Sequence, residues 1–289
     1  PGRALKFRAT SFIIRNYLLP MRWLLTALKL KRKVKNFNPD IIISDFEPSG
    51  IILSRMIKKK CIVIFGYDPE VFEEYKKKEI PTMKMYIQAR FFEKLYKMAN
   101  YVIIPKLLGV KKESLLYFYV NPVVKKRKIS SERELMKKLK LKKKPIVVML
   151  GGSEFAFKVA KEINKISDKF DEEFVIFGGR EKLECKKNVR HFLFRENFLE
   201  YLKVSKAMIT LAGQCALVEG LYFKKPMLIF PIEDHIEQIL NAYVLKDYAL
   251  IGKRIDLRNM EIILREFLRR NKELEAKVKM LKVGFNGAM

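Results

Sequence analysis

Carboxylate and amide side chains follow two short apolar runs in the second half of the chain. The runs cover residues 207–210 and 227–230, and each is followed by a polar turn and then by helical spacing. In an open parallel sheet, ligands bind just beyond the carboxyl ends of the strands. Polar groups gathered at two successive strand ends therefore indicate a binding site rather than an ordinary solvated surface.

Glu219 lies six residues after Gly213, in the helix expected after the first run. A carboxylate at this position could face back toward the strand end and accept hydrogen bonds from two adjacent ribose hydroxyls. The simpler interpretation is a solvated Glu on the surface of a basic protein. Spacing alone supports both interpretations equally.

The turn and helix after the second run bring four further polar residues close together. Glu237 and Gln238 stand near the start of the helix, where they can hydrogen-bond sugar hydroxyls, and Asn241 is a near neighbour. His235 could act as a general base, but it belongs to the same loop as the expected sugar contacts. All four residues are therefore candidates for the ligand site.

Glycine turns follow predicted strands at three places in this half of the chain. They are Gly151-Gly152-Ser153, Gly178-Gly179-Arg180 and Gly213-Gln214. Glycine lets the backbone approach a phosphate closely, and a helix N-terminus offers N–H groups and a partial positive charge. One such turn is common, but three in one domain indicate a nucleoside diphosphate ligand.

Apolar runs alternate with helical spacing along the chain, which predicts two Rossmann-like α/β domains with mostly parallel sheets. Strands are expected at 41–43, 61–65, 101–104, 115–120, 146–150, 174–177, 189–194, 207–210 and 227–230. Helices are expected at 83–98, 132–139 and 155–167, and Asp256 could cap a final helix over 260–281. We predict domains at 1–124 and 145–289, a basic linker at 125–144, and a ligand cleft between the domains.

The chain is strongly basic: Lys and Arg total 60 against 32 Asp and Glu, a formal net charge of +28. Such a charge favours anionic partners, which include nucleic acid, phosphorylated ligands and an anionic membrane surface. A Lys-rich composition is also typical of proteins from hyperthermophiles. Because no recognised nucleic-acid-binding motif accompanies the charge, nucleic acid is the least favoured of these partners.

Three widely spaced cysteines and two histidines argue against a conventional zinc site, so we expect no metal. The low cysteine count fits the reducing cytoplasm. A catalytic pair formed by Cys215 and His235 is conceivable. A buried structural thiol is the favoured interpretation of Cys215.

The segment over residues 12–35 is basic and amphipathic, with Trp23 among several leucines. Charged and polar residues interrupt its apolar run, so it does not predict a transmembrane helix. Such a segment could lie on an anionic membrane surface or pack against its own domain. Packing against the domain is the favoured alternative.

The motifs of the second half occur in an order that resembles a known family. Residues 151–242 contain Gly151-Gly152-Ser153, then Gly213 with Glu219, then Lys225-Pro226 through Pro231, then Gln238-Ile239-Leu240-Asn241-Ala242. This order resembles the donor domain of GT-B glycosyltransferases. It is most similar to the family-28 branch, which contains the peptidoglycan N-acetylglucosaminyltransferase MurG.

The resemblance implies an inverting glycosyltransferase with a UDP-sugar donor, expected to be UDP-N-acetylglucosamine. It implies that Glu219 holds the ribose, that Glu237 and Gln238 contact the donor sugar, and that the glycine turns face the diphosphate. It also implies that no cofactor or metal is needed, because helix dipoles and backbone N–H groups stabilise the leaving diphosphate. The acceptor could be lipid-linked, with the enzyme on the inner face of the membrane.

The first half departs from the family pattern. Family members begin with a strand and a glycine-rich loop, whereas this sequence starts Pro1-Gly2-Arg3. We therefore expect an incomplete acceptor domain at 1–124, in which the catalytic base comes from another position. Asp45 is our choice and Glu47 the companion candidate, because both follow a predicted strand. Both could instead cap the next helix.

Three alternative functions stay open. A UDP-sugar 2-epimerase shares this architecture, although the presence of only two histidines argues against it. A non-catalytic or partner-dependent nucleotide-sugar-binding subunit would fit an incomplete first domain. Nucleic-acid binding rests on charge alone.

Overall fold

The computed structural model describes residues 18–108, 114–124, 129–151, 154–179, 181–252 and 259–287. The chain divides into two compact units after Val123. We call the part up to Val123 the N-terminal unit and the part from Val124 to Val283 the C-terminal unit. Residues 284–287 belong to the N-terminal unit.

A four-stranded parallel sheet with the order β1-β2-β3-β4 is the centre of the described N-terminal unit. Its strands are β1 (Ile41–Asp45), β2 (Lys60–Ile64), β3 (Tyr101–Pro105) and β4 (Tyr117–Val120). Burial alternates along β2 and β3, as expected when successive side chains point to opposite faces. At the β1 edge of the sheet, Ile43 is 63% exposed.

The helices described in this unit are α1 (Leu19–Phe37), α2 (Pro48–Met56), α3 (Pro69–Lys78) and α4 (Met83–Met98). α2 and α3 begin in the same way, with an acidic N-cap, Glu47 or Asp68, followed by proline. Proline suits this position because its φ is already helical and its missing N–H has no partner there. α3 is not among the predicted helices, because only Val71 and Phe72 of its apolar residues are buried.

A six-stranded parallel sheet with the order β10-β9-β8-β5-β6-β7 is the centre of the described C-terminal unit. Its strands are β5 (Ile146–Met149), β6 (Phe174–Phe177), β7 (Val189–Phe192), β8 (Ala207–Thr210), β9 (Met227–Ile229) and β10 (Leu250–Ile251). Every residue of β6, β8 and β9 is buried. Continuous apolar runs are typical of parallel strands covered on both faces.

The helices described in the C-terminal unit are α5 (Glu132–Lys138), α6 (Glu154–Ile166), α7 (Phe198–Val204), α8 (Gln214–Tyr222), α9 (Ile236–Val244), α10 (Met260–Arg269) and α11 (Asn271–Met280). α5 lies inside the predicted linker and starts with a reciprocal capping box between Ser131 and Glu134. α7 and β10 are absent from the prediction, because both are short.

Two predictions about the end of the chain differ from the structure. The single final helix is two helices that meet at Arg270, although the buried positions Leu264, Phe267, Leu274 and Val278 keep helical spacing. The proposed cap Asp256 lies outside the described residues. Residues 284–287 were assigned to the second domain, but Asn286 forms an antiparallel bridge with Val123 of the N-terminal unit.

Both units are α/β with parallel sheets, as predicted. Among the helices that the structure describes, none combines the length and the hydropathy that crossing a bilayer requires.

Candidate functional site

A row of left-handed backbone positions follows the strands of the C-terminal sheet. Gly151 (φ 69°) follows β5, Gly178 (φ 101°) and Gly179 (φ 102°) follow β6, Ala212 (φ 71°) follows β8 and Asp234 (φ 62°) follows β9. β9, β8, β5 and β6 are neighbours in the sheet, so these residues lie along one edge. Of these residues only Ala212 and Asp234 are strained, because glycine adopts a positive φ without cost, and strained backbone positions cluster at functional sites.

Three predicted site residues, Gly151, Gly179 and Glu219, line one cavity of about 510 Å³ in the C-terminal unit. Ligand pockets commonly have volumes of ~300–1,000 Å³. The rest of the wall comes from Met149, Phe177, Gly178, Leu193, Phe194, Arg195, Glu196, Phe198 and Leu199.

Sequence analysis missed the wall formed by residues 193–196, because it extended β7 to Phe194. The strand ends at Phe192, and the next residues turn out of the sheet. Leu193 is 48% exposed and Phe194 is 81% exposed. The Arg195 guanidinium lies over the Phe192 ring, 4.5 Å from its centroid. The change from the apolar pair 193–194 to Arg195 and Glu196 was the sequence signal that could have indicated a turn here.

The glycine turns of β5 and β6 are packed against each other. A Cβ at Gly178 would overlap the Gly151 carbonyl oxygen, and the Gly179 N–H donates to that oxygen at 3.1 Å. Glycine is therefore required at 178 by both its φ and the space around it. Gly152, Ser153 and Arg180 lie outside the described residues.

His191 holds the Gly178 turn in place. Its Nδ1 accepts from the Leu183 N–H at 3.0 Å, which leaves Nε2 protonated in the neutral ring. Nε2 lies 2.7 Å from the Gly178 carbonyl oxygen and donates to it. His191 is a positioning residue that sequence analysis did not single out.

Glu219 projects from α8 into the cavity wall. Among the described residues, none hydrogen-bonds or ion-pairs with its carboxylate. Burial alone raises the pKa of Glu219 to about 7. Glu219 is half-buried in the cavity wall, so it differs from the fully solvated surface Glu of the simpler interpretation.

The N-terminus of α8 is open toward solvent-accessible space. Its N-cap is Gly213, so no side chain caps the helix. No atom beyond its chain neighbours lies within 4 Å of the position that a Cβ on Gly213 would take. The partial positive charge of a helix N-terminus favours anions at this position.

His235 and Gln238 are engaged in the loop that begins α9. His235 is the N-cap, and its Nδ1 accepts from the Gln238 N–H at 3.5 Å. Burial lowers the pKa of His235. The side-chain oxygen of Gln238 accepts from the Ile232 N–H at 3.1 Å. His235 thus serves as a cap, and Gln238 keeps its amide N–H groups for a ligand.

Asn241 connects α9 with the turn that precedes α8. Its side chain is buried, and Nδ2 donates to the carbonyl oxygen of left-handed Ala212 at 3.2 Å. The bond gives Asn241 a positioning role. Burial raises the pKa of Glu237 to about 7, and in the described part of the chain its carboxylate has no partner. The residues of α9 do not line the 510 Å³ cavity.

The candidate bases of the N-terminal unit have different environments. Glu47 caps α2, and its Oε1 accepts from the Ser49 N–H at 3.1 Å and the Ser49 hydroxyl at 2.6 Å. Asp45 ends β1 with an exposed side chain. Between them, Phe46 is left-handed (φ 44°) and stacks on Phe65. The capping alternative therefore describes Glu47, and Asp45 stays the candidate base.

The described residues were compared with metal-site geometry and with the expectation for Cys215. In residues that the structure describes, no cluster of three His, Cys, Asp or Glu side chains could hold a metal ion. Cys61 is buried, whereas Cys215 is exposed. The expectation of a buried thiol at Cys215 was wrong, because that residue lies in the open first turn of α8.

Comparison with known proteins identifies the class. The family model "Glycosyl transferase family 1" matches residues 6–271 of the chain. The chain therefore belongs to this family, and it is a glycosyltransferase with the GT-B fold. The sequence motifs indicate the family-28 branch in particular, and the family match does not extend to that specificity.

Individual relatives support the same class. An uncharacterized glycosyltransferase of Methanosarcina acetivorans is 24% identical over 272 residues, which are 88% of this chain and 70% of that protein. Among solved structures, a UDP-glucosyltransferase from Polygonum tinctorium has a TM-score of 0.64 at 11% identity, covering 91% of this chain and 76% of its own. UGT89C1 of Arabidopsis thaliana, solved with UDP, has a TM-score of 0.63 at 12% identity, with 95% and 74% covered.

Proposed function

We propose that this glycosyltransferase transfers N-acetylglucosamine from a UDP-sugar to an acceptor hydroxyl, with inversion at the anomeric carbon, as in the family-28 branch. The observation that carries the proposal is Glu219. It is a half-buried carboxylate without a protein partner in the described residues, and it lines a cavity together with two glycine turns. Such a carboxylate is suited to accept hydrogen bonds from the two hydroxyls of a ribose.

The rest of the cavity fits the other parts of a nucleoside diphosphate. Phe194 and Leu193 offer apolar surface on which a base can stack. The Gly151 turn and the N-terminus of α8, whose N-cap is Gly213, follow neighbouring strands, and we assign the diphosphate to backbone N–H groups at these two places. The same groups would stabilise the leaving diphosphate, so the proposal includes no metal.

The sugar and the acceptor are assigned to other residues. Glu237 and the N–H groups of Gln238 would contact the donor sugar, since α9 follows β9, next to β8 in the sheet. Asp45 would take the proton from the acceptor hydroxyl. We further propose a lipid-linked acceptor at the cytoplasmic face of an anionic membrane.

Titration calorimetry with UDP tests the nucleotide assignment. Glu219→Gln keeps the size of the side chain but removes the charged acceptor, so UDP should bind ~10- to 100-fold more weakly, as for a lost hydrogen bond to a charged group. Glu184→Gln is the matched control, because Glu184 is exposed in the same unit. Equal UDP affinities for both variants, or no UDP binding by the unaltered protein, would refute the assignment.

A second candidate is nucleotide-sugar binding that needs another polypeptide for turnover. The observation that favours it is the edge of the N-terminal sheet, where β1 pairs with β2 alone among the described strands and exposes Ile41 and Ile43. Exposed apolar edge strands are usually covered. UDP binding without transfer, restored by a co-purified protein, would support this candidate over the first.

A further inference from the structure

The connection between β1 and α2 turns sharply within two residues. β1 ends at Asp45 and α2 begins at Pro48, so only Phe46 and Glu47 join them. Glu47 is extended (φ −100°, ψ 106°), as the residue before a proline usually is. The change of direction therefore falls on Phe46, whose φ is 44°. We call residues 44–47 the β1 elbow.

The left-handed backbone of Phe46 is strained. A positive φ is rare for a bulky side chain, because its Cβ crowds the backbone. The connection from β2 to α3 needs no such conformation, because four residues, 65–68, share the change of direction. Strain of this kind persists only where the surrounding contacts hold it, and it clusters at active sites.

Hydrogen bonds and ring contacts hold the β1 elbow in this conformation. The buried Ser44 hydroxyl donates to the Glu47 carbonyl at 2.9 Å and accepts from the Glu47 N–H at 3.0 Å. The Phe46 ring stacks on Phe65, which directly follows β2, with ring centroids 3.7 Å apart and planes inclined by 14°. Phe92 of α4 meets both rings edge-on, at 5.0 and 5.1 Å. The strained turn is therefore fixed by its own hydrogen bonds and by the ring of Phe46.

Asp45 lies inside the β1 elbow, and no other group supports its carboxylate. The side chain is exposed at the carboxyl end of β1. In the part of the chain that the structure describes, no group hydrogen-bonds or ion-pairs with this carboxylate. The neighbouring Glu47 carboxylate, by contrast, accepts two hydrogen bonds from Ser49. The direction of the Asp45 side chain therefore depends on the backbone of the β1 elbow.

We propose that Phe46 is a positioning residue, whose ring stack keeps the strained β1 elbow in place and so directs the Asp45 carboxylate toward the acceptor hydroxyl. The inference rests on the proposed function, which assigns the base to Asp45. A base displaced by about 1 Å can lower the rate by ~10²-fold. A strained strand-to-helix turn presents the nucleophile of α/β-hydrolases in a comparable way.

The step that depends on this positioning is the attack of the acceptor. The acceptor oxygen bonds to the anomeric carbon, and its proton passes to the Asp45 carboxylate. The bond from that carbon to the diphosphate oxygen breaks, and its electron pair leaves with UDP. The carboxylate must therefore be within hydrogen-bond reach of the hydroxyl when the attack begins.

Steady-state kinetics of the full chain test the proposal, with UDP-N-acetylglucosamine as donor and a lipid extract as acceptor. Phe46→Ala removes the ring stack, so kcat should fall by about tenfold or more, whereas the KM for the donor should stay within about twofold. Phe46→Tyr keeps the ring and should keep kcat within about twofold. The matched control is Phe118→Ala, which removes another half-buried ring of the same sheet, one that meets Tyr101 at 5.6 Å. This control should also keep kcat within about twofold.

The double variant Asp45→Asn/Phe46→Ala separates positioning from a general effect on the fold. Without the carboxylate there is no base to misplace, so adding Phe46→Ala to Asp45→Asn should change the residual rate by less than about twofold. A merely structural role would lower the rate by the same factor in both backgrounds. Slow hydrolysis of the donor by water, followed as UDP release, should show the same pattern without an acceptor.

Phe65→Leu gives a second route to the same readout. It removes the ring on which Phe46 stacks but leaves the residues of the β1 elbow unchanged. kcat should fall in the same direction, by about threefold or more. The test therefore does not depend on the folding of Phe46→Ala.

Two results would overturn the inference and leave Asp45 as the base. The first is a kcat that Phe46→Ala and Phe65→Leu leave unchanged. The second is an equal loss of rate from Phe46→Ala with and without the Asp45 carboxylate. Failure of the proposed function has a different signature, because Asp45→Asn would then turn over as fast as the unaltered protein, and the inference would fall with it.

Discussion

Both units carry acidic residues in the segments that follow their parallel strands. The two sets of carboxylates differ in their hydrogen-bond partners. In the N-terminal unit, Glu47 and Asp68 follow parallel strands and cap α2 and α3. Asp68 also pairs with the Lys106 ammonium at 3.2 Å. In the C-terminal unit, Glu219 and Glu237 are half-buried, and this partial burial raises the pKa of each to about 7. Within the described residues, neither carboxylate has a partner.

The difference distinguishes carboxylates that stabilise the fold from carboxylates that are available to a ligand. Acids that accept backbone N–H groups stabilise the fold, and their oxygens are already occupied. Acids buried without a partner lower stability and are retained where a ligand supplies the missing hydrogen bonds. The C-terminal unit also tolerates left-handed Ala212 and Asp234 beside these acids. An acid at a strand end therefore indicates a site only when the local backbone leaves it free.

The sharpest test of this comparison uses the two adjacent acids of the N-terminal unit. Asp45→Asn should reduce transfer from UDP-N-acetylglucosamine to a lipid extract by ~10²–10⁴, the range for loss of a general base. Glu47→Gln should leave transfer within threefold and reduce the free energy of unfolding by ~1 kcal/mol, because it weakens a cap. Turnover and urea unfolding are the measurements. The reverse pattern would exchange the roles of Asp45 and Glu47.

Substitutions of two glycines in the C-terminal unit separate an effect on stability from an effect on UDP binding. Gly178→Ala should reduce the free energy of unfolding by ~3 kcal/mol or more, because the new Cβ overlaps the Gly151 carbonyl and φ is positive. Gly213→Ala should change stability by less than ~0.5 kcal/mol, since space is open there. It should still weaken UDP binding about tenfold by blocking approach to the α8 N-terminus. Unchanged UDP affinity in Gly213→Ala would place the diphosphate elsewhere.

The Asn241 contact provides a test of positioning. Asn241→Asp removes the N–H donor to the Ala212 carbonyl and should reduce stability by ~2 kcal/mol, with a several-fold loss of UDP affinity. Adding Ala212→Gly should restore more stability and UDP affinity in the Asn241→Asp background than it adds to the unaltered protein, because glycine keeps φ 71° without the Asn241 bond that holds Ala212 there. Chemical unfolding and UDP titration of the single and double variants give the coupling. Purely additive effects would argue against Asn241 as a positioning residue.

The smallest expected effect is a pH dependence of donor binding. Burial raises the pKa of Glu219 from 4.5 to about 7, so the free folded protein holds a proton that the unfolded chain has released. Stability should therefore fall as pH rises from 4.5 to 7. Ribose hydroxyls favour the ionised form, so binding should release this proton, and UDP-N-acetylglucosamine affinity should rise about tenfold between pH 5.5 and 7. Calorimetry should show a flatter profile in Glu219→Gln, and identical profiles would contradict this proton release.

Local patterns in the sequence were sufficient for the fold class and for part of the site. Apolar runs located β6 and β8 to the residue, because parallel strands buried on both faces consist mainly of apolar side chains. Glycine turns and helical spacing pointed to Gly151, Gly179 and Glu219, which line the 510 Å³ cavity. The family order of these motifs agrees with the glycosyltransferase class.

Tertiary structure alone decided how the polar groups are used. Glu47 and Glu219 have the same side chain, and each lies in a segment that follows a strand. The Glu47 carboxylate accepts a hydrogen bond from Ser49, whereas Glu219 lines a cavity. His191 and Asn241 hold turns that are 13 and 29 residues away in the chain, which no local pattern contains. Burial and hydrogen bonding depend on what the rest of the chain brings alongside, so residue type and spacing determine the candidates and packing determines which of them can act.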